Sequence, residues 1–530
     1  MSATSLTQRQ RTLVTIGVML ALLLAALDTT IVGTALPHVV AELQGLDRYA
    51  WVLTAYLVAS TLMTPIAGKL GDLFGRKPLL LVGMVGFILA SALCGQAQEM
   101  TQLIAFRSVQ GLFGGTIFAT VFASVADIYP PATRARMLGV FSGVFGLASI
   151  VGPTLGGYLT DNLSWRWVFY VNLPVGIAAL LFVLRTMPSP SRTATWRSID
   201  LAGALALAGS LVPLLVGLSI TRDHDWTSPE VLTLLAVAAA MGVVLFAVER
   251  RHSEPIVPFG LFADRTFAVS TATSFIVGIG MFAAILFVPL IYQGVLGTTA
   301  TDSGALLTPL VGGLVVASVL TGQVMTRVRR YRFVGSFGFG LMAAGFWLLG
   351  QVRPGTEPAE VVRDLVVIGL GIGTTLPLYL SAAQSAVPQR LAGVATSQAT
   401  FWRNIGSTVG VAVLGSILSQ QLPAQIQFAV ASLRLTPQAL AALGQIGGSA
   451  QTLFDPVHLA AVPAPVVVAI RGALADTLQG MFEGTSLVLG AAIALSLFLS
   501  EVRLRAAHVS DEGTAPTATG REVLVTVSNE

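Results

Sequence analysis

Fourteen long apolar stretches recur along the 530-residue chain, and they constrain its fold more than any other feature. A helix that crosses the hydrocarbon core of a bilayer needs roughly 20 consecutive, mostly apolar residues. The first stretch predicts a span over 12–36, and the last predicts one over 483–501. Only 11% of the residues are charged, against about 25% in a typical soluble domain, so a soluble fold is excluded. We therefore predict an all-α integral membrane protein with fourteen transmembrane helices.

The distribution of cationic residues predicts which ends of the spans face the cytoplasm. With the N-terminus inside, most loop Lys and Arg residues fall on that same side, as the positive-inside bias requires. We expect a multi-pass protein of the cell membrane with both termini in the cytoplasm. The net charge of +4 is spread over short loops without an aromatic-interleaved basic stripe, so nucleic acid is not an expected partner.

Basic segments rich in proline and serine divide the predicted helices into groups of six, two and six. The two six-helix bundles are expected to be related halves, with a substrate site near the bilayer midplane where they meet. Within the long loop, residues 466–480 are expected to form amphipathic surface helices rather than a further span. The predicted parts are a cytoplasmic tail at 1–11, a first six-helix bundle at 12–185, linkers with two extra helices at 186–265, a second six-helix bundle at 266–501 with an extracytoplasmic loop at 421–480, and a cytoplasmic tail at 502–530.

Four short motifs, in order along the chain, carry a family resemblance. Gly68–Lys77 resembles the loop between helices 2 and 3 of the major facilitator superfamily. Leu27–Val32 is similar to the helix 1 signature of that superfamily's fourteen-helix drug:proton antiporters. Arg107–Gly111 resembles the helix 4 motif, and Gly152–Gly157 with Gly139 upstream resembles the helix 5 motif of antiporters. The resemblance implies two six-helix bundles plus two central helices, and export of hydrophobic, cationic drugs or toxic compounds in exchange for protons by alternating access.

Two ionisable residues inside predicted spans are candidates for proton coupling. A charge at the centre of a span costs at least about 2.5–3.5 kcal/mol, so its presence suggests a function. Asp28 in helix 1 and Arg107 in helix 4 both fall in the outer half of the membrane, where they can meet. A carboxylate that gains and loses a proton as access alternates would couple proton entry to export. The alternative is a static pair that holds the two helices together.

A third ionisable residue, Arg403, lies in the predicted helix 13 between Trp402 and Asn404. Its side chain is either buried or extends along the helix to the cytoplasmic face, as long cationic side chains do near the ends of spans.

Glycines and charged residues cluster at the predicted cytoplasmic end of helices 2 to 4, where the resemblance implies a gating motif. The glycines suit a turn that needs positive φ or a close backbone approach, and Asp72 is expected to cap the helix that begins nearby. Asp127 either pairs with Arg76 or Lys77, which would latch the helices when the cavity opens outward, or is a solvated helix-end charge. The motif comprises Gly68, Gly71, Asp72, Gly75, Arg76, Lys77 and Asp127.

The helix 5 motif combines small residues with a proline that kinks or softens the helix. Small residues let a neighbouring helix approach closely, and a dry contact there would block a proton leak. Helix packing alone explains the glycines equally well, so the antiporter role rests on the resemblance. The motif residues are Gly139, Gly152, Pro153, Gly156 and Gly157.

Other classes of protein are disfavoured by what the sequence lacks. Neither of the two lysines completes a phosphate-binding P-loop, and no HExxH zinc pair or GxSxG nucleophile elbow occurs. We expect no catalytic residues, no cofactor and no metal; the expected partners are small hydrophobic substrates, protons and the lipid bilayer, with the protein a monomer. One alternative is an exporter of the same fold dedicated to an endogenous lipid, siderophore or amino acid. A membrane enzyme is a more distant alternative.

The predicted sidedness can be tested by cysteine labelling. Cys94, the only native cysteine, is replaced first, and single cysteines are then introduced into the 421–480 loop or at Ser198. A membrane-impermeant reagent added outside intact cells should label the loop position and spare position 198. Labelling in the opposite pattern would contradict the assigned sidedness.

Overall fold

The computed structural model describes residues 7–43, 48–188, 200–221, 224–252, 254–297, 308–327, 331–431 and 464–499. Within these ranges lie fourteen helices long and apolar enough to cross a membrane, which confirms the predicted fold class. The helices are α1 (Gln8–Leu43), α2 (Tyr49–Phe74), α3 (Arg76–Gly95), α4 (Met100–Ile128), α5 (Pro131–Asn162), α6 (Trp167–Thr186), α7 (Leu201–Ile220), α8 (Pro229–Glu249), α9 (Arg265–Leu290), α10 (Thr308–Arg327), α11 (Tyr331–Leu349), α12 (Pro358–Ser385), α13 (Ala392–Ala431) and α14 (Ala464–Leu497).

The outside of the helical bundle is apolar, and its interior contains charged side chains. Leu89, Val243 and Leu487 are 62%, 70% and 76% exposed, whereas Asp28 and Arg107 are fully buried. Soluble proteins rarely expose apolar surface of such extent. Lipid instead solvates the apolar rim, and helices satisfy their own backbone hydrogen bonds within it.

Two helix pairs make the largest contacts between the halves of the molecule. Helices α1–α6 pack together and so do α9–α14, while α2 contacts α13 and α5 contacts α10 across the interface. The two extra helices, α7 and α8, pair with each other, and α7 lies against both α2 and α13. Leu207 and Leu211 of α7 share an apolar cluster with Val58 of α2 and Phe401 of α13. The extra pair therefore covers one seam between the halves.

The two halves repeat one close helix contact. In each, two glycines four residues apart lie so near the carbonyl groups of a neighbouring helix that a β-carbon on either would collide with an oxygen. Small residues at such spacing let backbones approach, which drives helix association in lipid. In the first half Gly111 and Gly115 of α4 face Tyr56 and Ser60 of α2; in the second Gly369 and Gly373 of α12 face Leu310 and Leu314 of α10.

The join between α2 and α3 is tighter than predicted. Helix α2 continues to Phe74, so Gly68 and Gly71 are helical rather than part of a turn. Gly75 alone links the helices, with φ 93° and ψ 160°, a conformation that side chains other than that of glycine rarely allow. The expected positive φ therefore occurs only at Gly75. We refer to this side of the bundle as the Gly75 end.

The last two helices extend into the segment predicted as a loop over 421–480. Helix α13 continues to Ala431, and α14 begins at Ala464 rather than near 483. The expected surface helices at 466–480 are instead the first turns of α14, where Val466, Ile470 and Leu474 are buried. With 34 residues, α14 is about 51 Å long, well beyond a hydrocarbon core of about 30 Å. The prediction therefore placed the beginning of α14 too late in the chain.

Several predicted segments fall largely or wholly outside the described residues: most of the linker at 186–198, the middle of the long loop at 432–463, and the C-terminal tail at 502–530. Of the predicted N-terminal tail at 1–11, residues from Gln8 onward are already helical.

The glycines of α5 do not form one packed surface. A β-carbon on Gly139 would lie 2.6 Å from the Ser318 carbonyl oxygen of α10, and one on Gly152 would collide with the Thr30 hydroxyl of α1. A β-carbon on Gly157 would meet nothing within 4 Å. The expected close contact at Gly157 is thus wrong, because five residues turn the helix about 140° away from Gly152. Gly156 is buried, and Pro153 belongs to α5, although its side chain lies outside the described set.

Substituting leucine at two of these glycines should show whether the effect depends on packing at the position or only on the loss of a glycine. Gly152→Leu should destabilise the protein by about 1–3 kcal/mol, because the new side chain overpacks the contact with Thr30. Gly157→Leu makes the same chemical change in the same helix into open space, and should leave stability unchanged or slightly raised. Thermal unfolding midpoints of the purified proteins in one detergent provide the measurement. Equal losses in both variants would contradict this packing.

Candidate functional site

A fully buried carboxylate lies at the centre of the first half. Asp28 of α1 accepts a hydrogen bond from Arg107 of α4, with 2.7 Å between Oδ2 and Nη1. Its other oxygen, Oδ1, accepts from Gln110 Nε2 at 2.8 Å and from Asn172 Nδ2 at 2.7 Å. Both side chains of the predicted coupling pair are therefore in direct contact, and three donors from α4 and α6 surround the carboxylate. Their role in proton coupling stays a prediction.

Sequence reasoning did not identify the two amide side chains of this network. Gln110 also accepts from Arg107, at 2.7 Å, and Asn172 also donates to Ser91, at 3.0 Å, so each amide links the carboxylate to a second group. Asn172 lies in a largely apolar helix. A polar residue within an apolar span indicates a functional role and can be recognised from the sequence. Gln110 lies one turn from Arg107 within the helix 4 motif, a spacing that puts both side chains on one helix face.

A tyrosine separates this network from the interior cavity. The Arg107 guanidinium carbon lies 4.3 Å from the centroid of the Tyr56 ring, within the range of a cation–π interaction. Tyr56 also lines the cavity, as does Thr29, the residue after Asp28. The buried Tyr56 hydroxyl has no hydrogen-bond partner among the described residues. The carboxylate network is thus one aromatic ring away from the cavity.

The cavity has a volume of about 180 Å³ and lies between the two halves. Both halves contribute to its wall, which is largely aromatic and aliphatic, with a few hydroxyl and amide groups. A concave, mostly apolar site with a small number of polar groups is typical of small-molecule binding. The apolar lining includes Phe118, Phe122, Phe145, Met281, Phe282, Leu314, Leu376 and Leu380.

Arg403 of α13 lines this same cavity. It lies eleven residues from the start of α13 at Ala392, about 16 Å along the helix axis, so its side chain does not reach the end of the bundle. The prediction left open burial or extension to the cytoplasmic face; the structure places the side chain at the cavity wall. Among the described residues that line the cavity, Arg403 alone carries a charge.

At the Gly75 end, one arginine gathers most of the predicted gating motif. Arg76 pairs with Asp72 one turn before it and with Asp127 of α4, where Nε and Oδ2 are 3.0 Å apart. Asp72 does not cap α3 as expected; its Oδ2 accepts from the backbone nitrogen of Val394, at 2.8 Å, in the first turn of α13. A carboxylate at this position accepts a hydrogen bond from a backbone N–H group that has no partner within the helix. Its negative charge also interacts favourably with the positive end of the helix dipole. The motif thus joins the two halves.

The remaining motif residues lie around this contact. Gly68 packs so closely against Ser397 of α13 that a β-carbon would collide with it, and Gly71 lies against the Arg76 side chain. Lys77 donates to the Leu184 carbonyl at 2.9 Å, near the end of α6.

A second bridge between the halves, absent from the predicted site, lies beside the first. Arg134 at the start of α5 donates to the Ala126 carbonyl at 3.0 Å and to Gln389 Oε1 at 2.6 Å. Gln389, just before α13, donates in turn to the Ala126 carbonyl at 2.7 Å. Burial lowers the pKa of the Arg134 guanidinium, which nevertheless keeps its charge. We call the bridges made by Asp72 and Gln389 the Gly75-end latch.

The arrangement suits transport across a membrane. It combines an apolar cavity between two helical halves, a buried carboxylate network at its edge and a polar latch that closes one end. These features define a multi-pass membrane transporter. The family model of the Major Facilitator Superfamily matches residues 18–411, and the chain belongs to that family.

Individual relatives agree with this assignment. The chain is 36% identical to the multidrug transporter protein MdtP of Bacillus subtilis (strain 168), over 95% of this chain and 96% of that protein. It is 33% identical to multidrug resistance protein 3 of the same organism, over 95% and 98% of the two chains. It is 32% identical to the efflux pump dotC of Dothistroma septosporum, over 93% and 84%. The crystal structure of the human organic anion transporter MFSD10 (TETRAN) shares the fold, with a TM-score of 0.57 and 17% identity over 90% of this chain and 99% of that one.

The latch should be sensitive to the charge of Asp72. Asp72→Asn keeps the size of the side chain but removes its charge, so it weakens both the Arg76 pair and the contact with the α13 dipole. We expect transport to slow severalfold while the order of preference among substrates stays the same, since Asp72 does not line the cavity. The measurement is initial transport rate over a substrate panel in proteoliposomes. Asp225→Asn, at an exposed position, is the control, and a reordered substrate preference would contradict the latch.

Proposed function

We propose that this protein exports hydrophobic compounds from the cell in exchange for protons, by alternating access of the cavity to the two sides of the membrane. The observation that carries the proposal is the buried Asp28 carboxylate, whose partner Arg107 lies against the Tyr56 ring that lines the cavity. The printed names of the relatives, two of them multidrug proteins and one an efflux pump, support the export of drugs or toxic compounds.

Protonation of Asp28 is the coupling step. It removes the negative charge that balances Arg107 and turns one carboxylate oxygen from an acceptor into a donor. Arg107 then lies beside the Tyr56 ring without its counter-ion, and a buried charge that loses its partner is strongly destabilised. The network therefore rearranges, and Tyr56 carries that rearrangement to the cavity wall.

The Gly75-end latch holds the protein in one of the two states that alternating access requires. In the proposed orientation, with both termini in the cytoplasm, the Gly75 end faces the cytoplasm, so the present arrangement is closed on that side. Opening breaks the bridges at Asp72 and Gln389 and separates α13 from α2, while the other end closes. Few hydrogen bonds join the halves there, so substrate and proton binding can shift the balance between the states.

The apolar wall of the cavity determines what is carried. Four phenylalanines and several aliphatic residues offer apolar contact and aromatic stacking rather than a pattern of directed hydrogen bonds. Such a wall accepts many molecules of suitable size, as a drug exporter requires. We place the protein in the cell membrane as a monomer, with no cofactor.

The coupling role of Asp28 has a direct test. Asp28→Asn removes the titratable group at nearly constant volume. It should reduce the rate of export driven by an imposed pH gradient at least about tenfold. Inside-out vesicles with a fluorescent hydrophobic substrate provide the measurement, and substrate binding to the purified variant should persist. Asp225→Asn, an exposed aspartate, should transport like the wild type. Full gradient-driven export by Asp28→Asn would show that the pair only holds the helices together.

A further inference from the structure

We propose that Arg403 binds a negatively charged group of the substrate, so that the protein prefers amphiphilic anions: compounds with a carboxylate or similar group on an apolar body. The inference rests on the proposed function, in that the cavity is taken to hold the exported compound. It replaces the expectation of cationic substrates, which came from the family resemblance rather than from the cavity.

The charge balance around Arg403 differs from that around Arg107 and Arg76. Arg107 pairs with Asp28 and Arg76 pairs with Asp72 and Asp127, so these two buried guanidinium groups have counter-ions inside the protein. Arg403 makes no ion pair within 4.0 Å with any described acidic residue. A charge held away from bulk water without a partner is costly, and proteins seldom retain one that has no use.

Helix α13 is held rigidly at Arg403. The backbone of Arg403 is fixed on both sides: Ser407 donates to its carbonyl at 2.9 Å, and Gly278 of α9 packs directly against the same carbonyl. Arg403 thus reaches the cavity wall from a rigid part of α13. A planar guanidinium can bind both oxygens of a carboxylate, and its fork of donors is already arranged for that geometry.

The surroundings of Arg403 in the cavity wall are neutral and largely apolar. Thr400, one turn earlier on α13, and Asn404 line the same cavity and add neutral hydrogen-bonding groups beside Arg403. The rest of the wall is apolar and aromatic, and no described lining residue is acidic. This surface matches a molecule with one anionic group and an apolar body, and it repels a cation placed at the same point.

The test compares three dansyl compounds of similar size that differ in charge. Dansylglycine carries a carboxylate, its methyl ester is neutral, and dansyl-ethylenediamine carries an ammonium group. Binding is measured by dansyl fluorescence with the purified full-length protein in nanodiscs, with empty nanodiscs subtracted. The wild type should bind dansylglycine roughly tenfold or more tightly than the ester, as expected for a charged hydrogen bond, and the amine most weakly.

Variants at position 403 assign the preference to the guanidinium. Arg403→Gln should bring the affinities for acid and ester within about twofold, whereas Arg403→Lys should keep part of the difference because the charge remains. Arg251→Gln makes the same change of charge at an exposed position, and should behave like the wild type. If Arg403→Gln does not fold, the wild-type ranking and the Lys variant still decide the question.

Opposite results would overturn the proposal. Equal or tighter binding of the ester or the amine by the wild type would exclude an anion site, as would a preference for dansylglycine that persists in Arg403→Gln. Transport is scored separately in proteoliposomes with an imposed pH gradient. Selective binding of dansylglycine without gradient-driven movement of any of the three compounds would refute the proposed proton-coupled export and leave the anion site intact.

Discussion

The ion pair between Asp28 and Arg107 is the interaction on which the first half depends. Removing either charge from water alone would cost several kcal/mol, and their mutual attraction offsets that cost only with good geometry and further hydrogen bonds. Gln110 and Asn172 supply those bonds, so α1, α4 and α6 are held by one hydrogen-bonded polar cluster in an apolar surrounding. Any event that changes the charge of one member must be felt by all three helices.

Close contacts at glycines occur both within each half and between the halves, as at Gly139 against Ser318, but the buried Asp28 network lies within one half. Inside a half, charged networks and glycine-mediated backbone contacts hold neighbouring helices firmly. Between the halves, the Gly75 end relies on a few hydrogen bonds, among them the cap that Asp72 places on α13 and the bridge between Arg134 and Gln389. Bonds of this kind contribute about 1–3 kcal/mol each, so the interface can open while each half keeps its shape.

Much of the architecture follows from the sequence because lipid limits the options. Apolar runs that are long enough to cross the membrane must be helices. Two opposite charges at similar depth inside the membrane, such as Asp28 and Arg107, are expected to pair. Contacts that depend on how a helix is rotated about its own axis do not follow from the sequence. Asn172 faces Asp28, and Gly157 faces open space, only because of how α6 and α5 are turned about their axes.

Local sequence patterns also do not predict contacts between residues that are far apart in the chain. Asp72 is followed by a helix that it was expected to cap, yet it caps α13, which begins more than three hundred residues later. The partner was invisible because any exposed helix start offers the same free N–H groups. The beginning of α14 was missed for a different reason: Arg471 and Asp476 interrupt its apolar sequence, so this stretch did not resemble a membrane span.

The position of Arg403 has an electrical consequence. A cation that leaves as one proton enters moves no net charge, so the membrane voltage neither helps nor opposes such a cycle. An anion that leaves as one proton enters moves two positive charges inward, and each is worth about 2.3 kcal/mol per 100 mV of membrane potential. Under the proposed exchange of an anionic substrate for a proton, a single guanidinium in the cavity wall would make the cell's resting voltage a driving force for export, even when the pH is equal on the two sides.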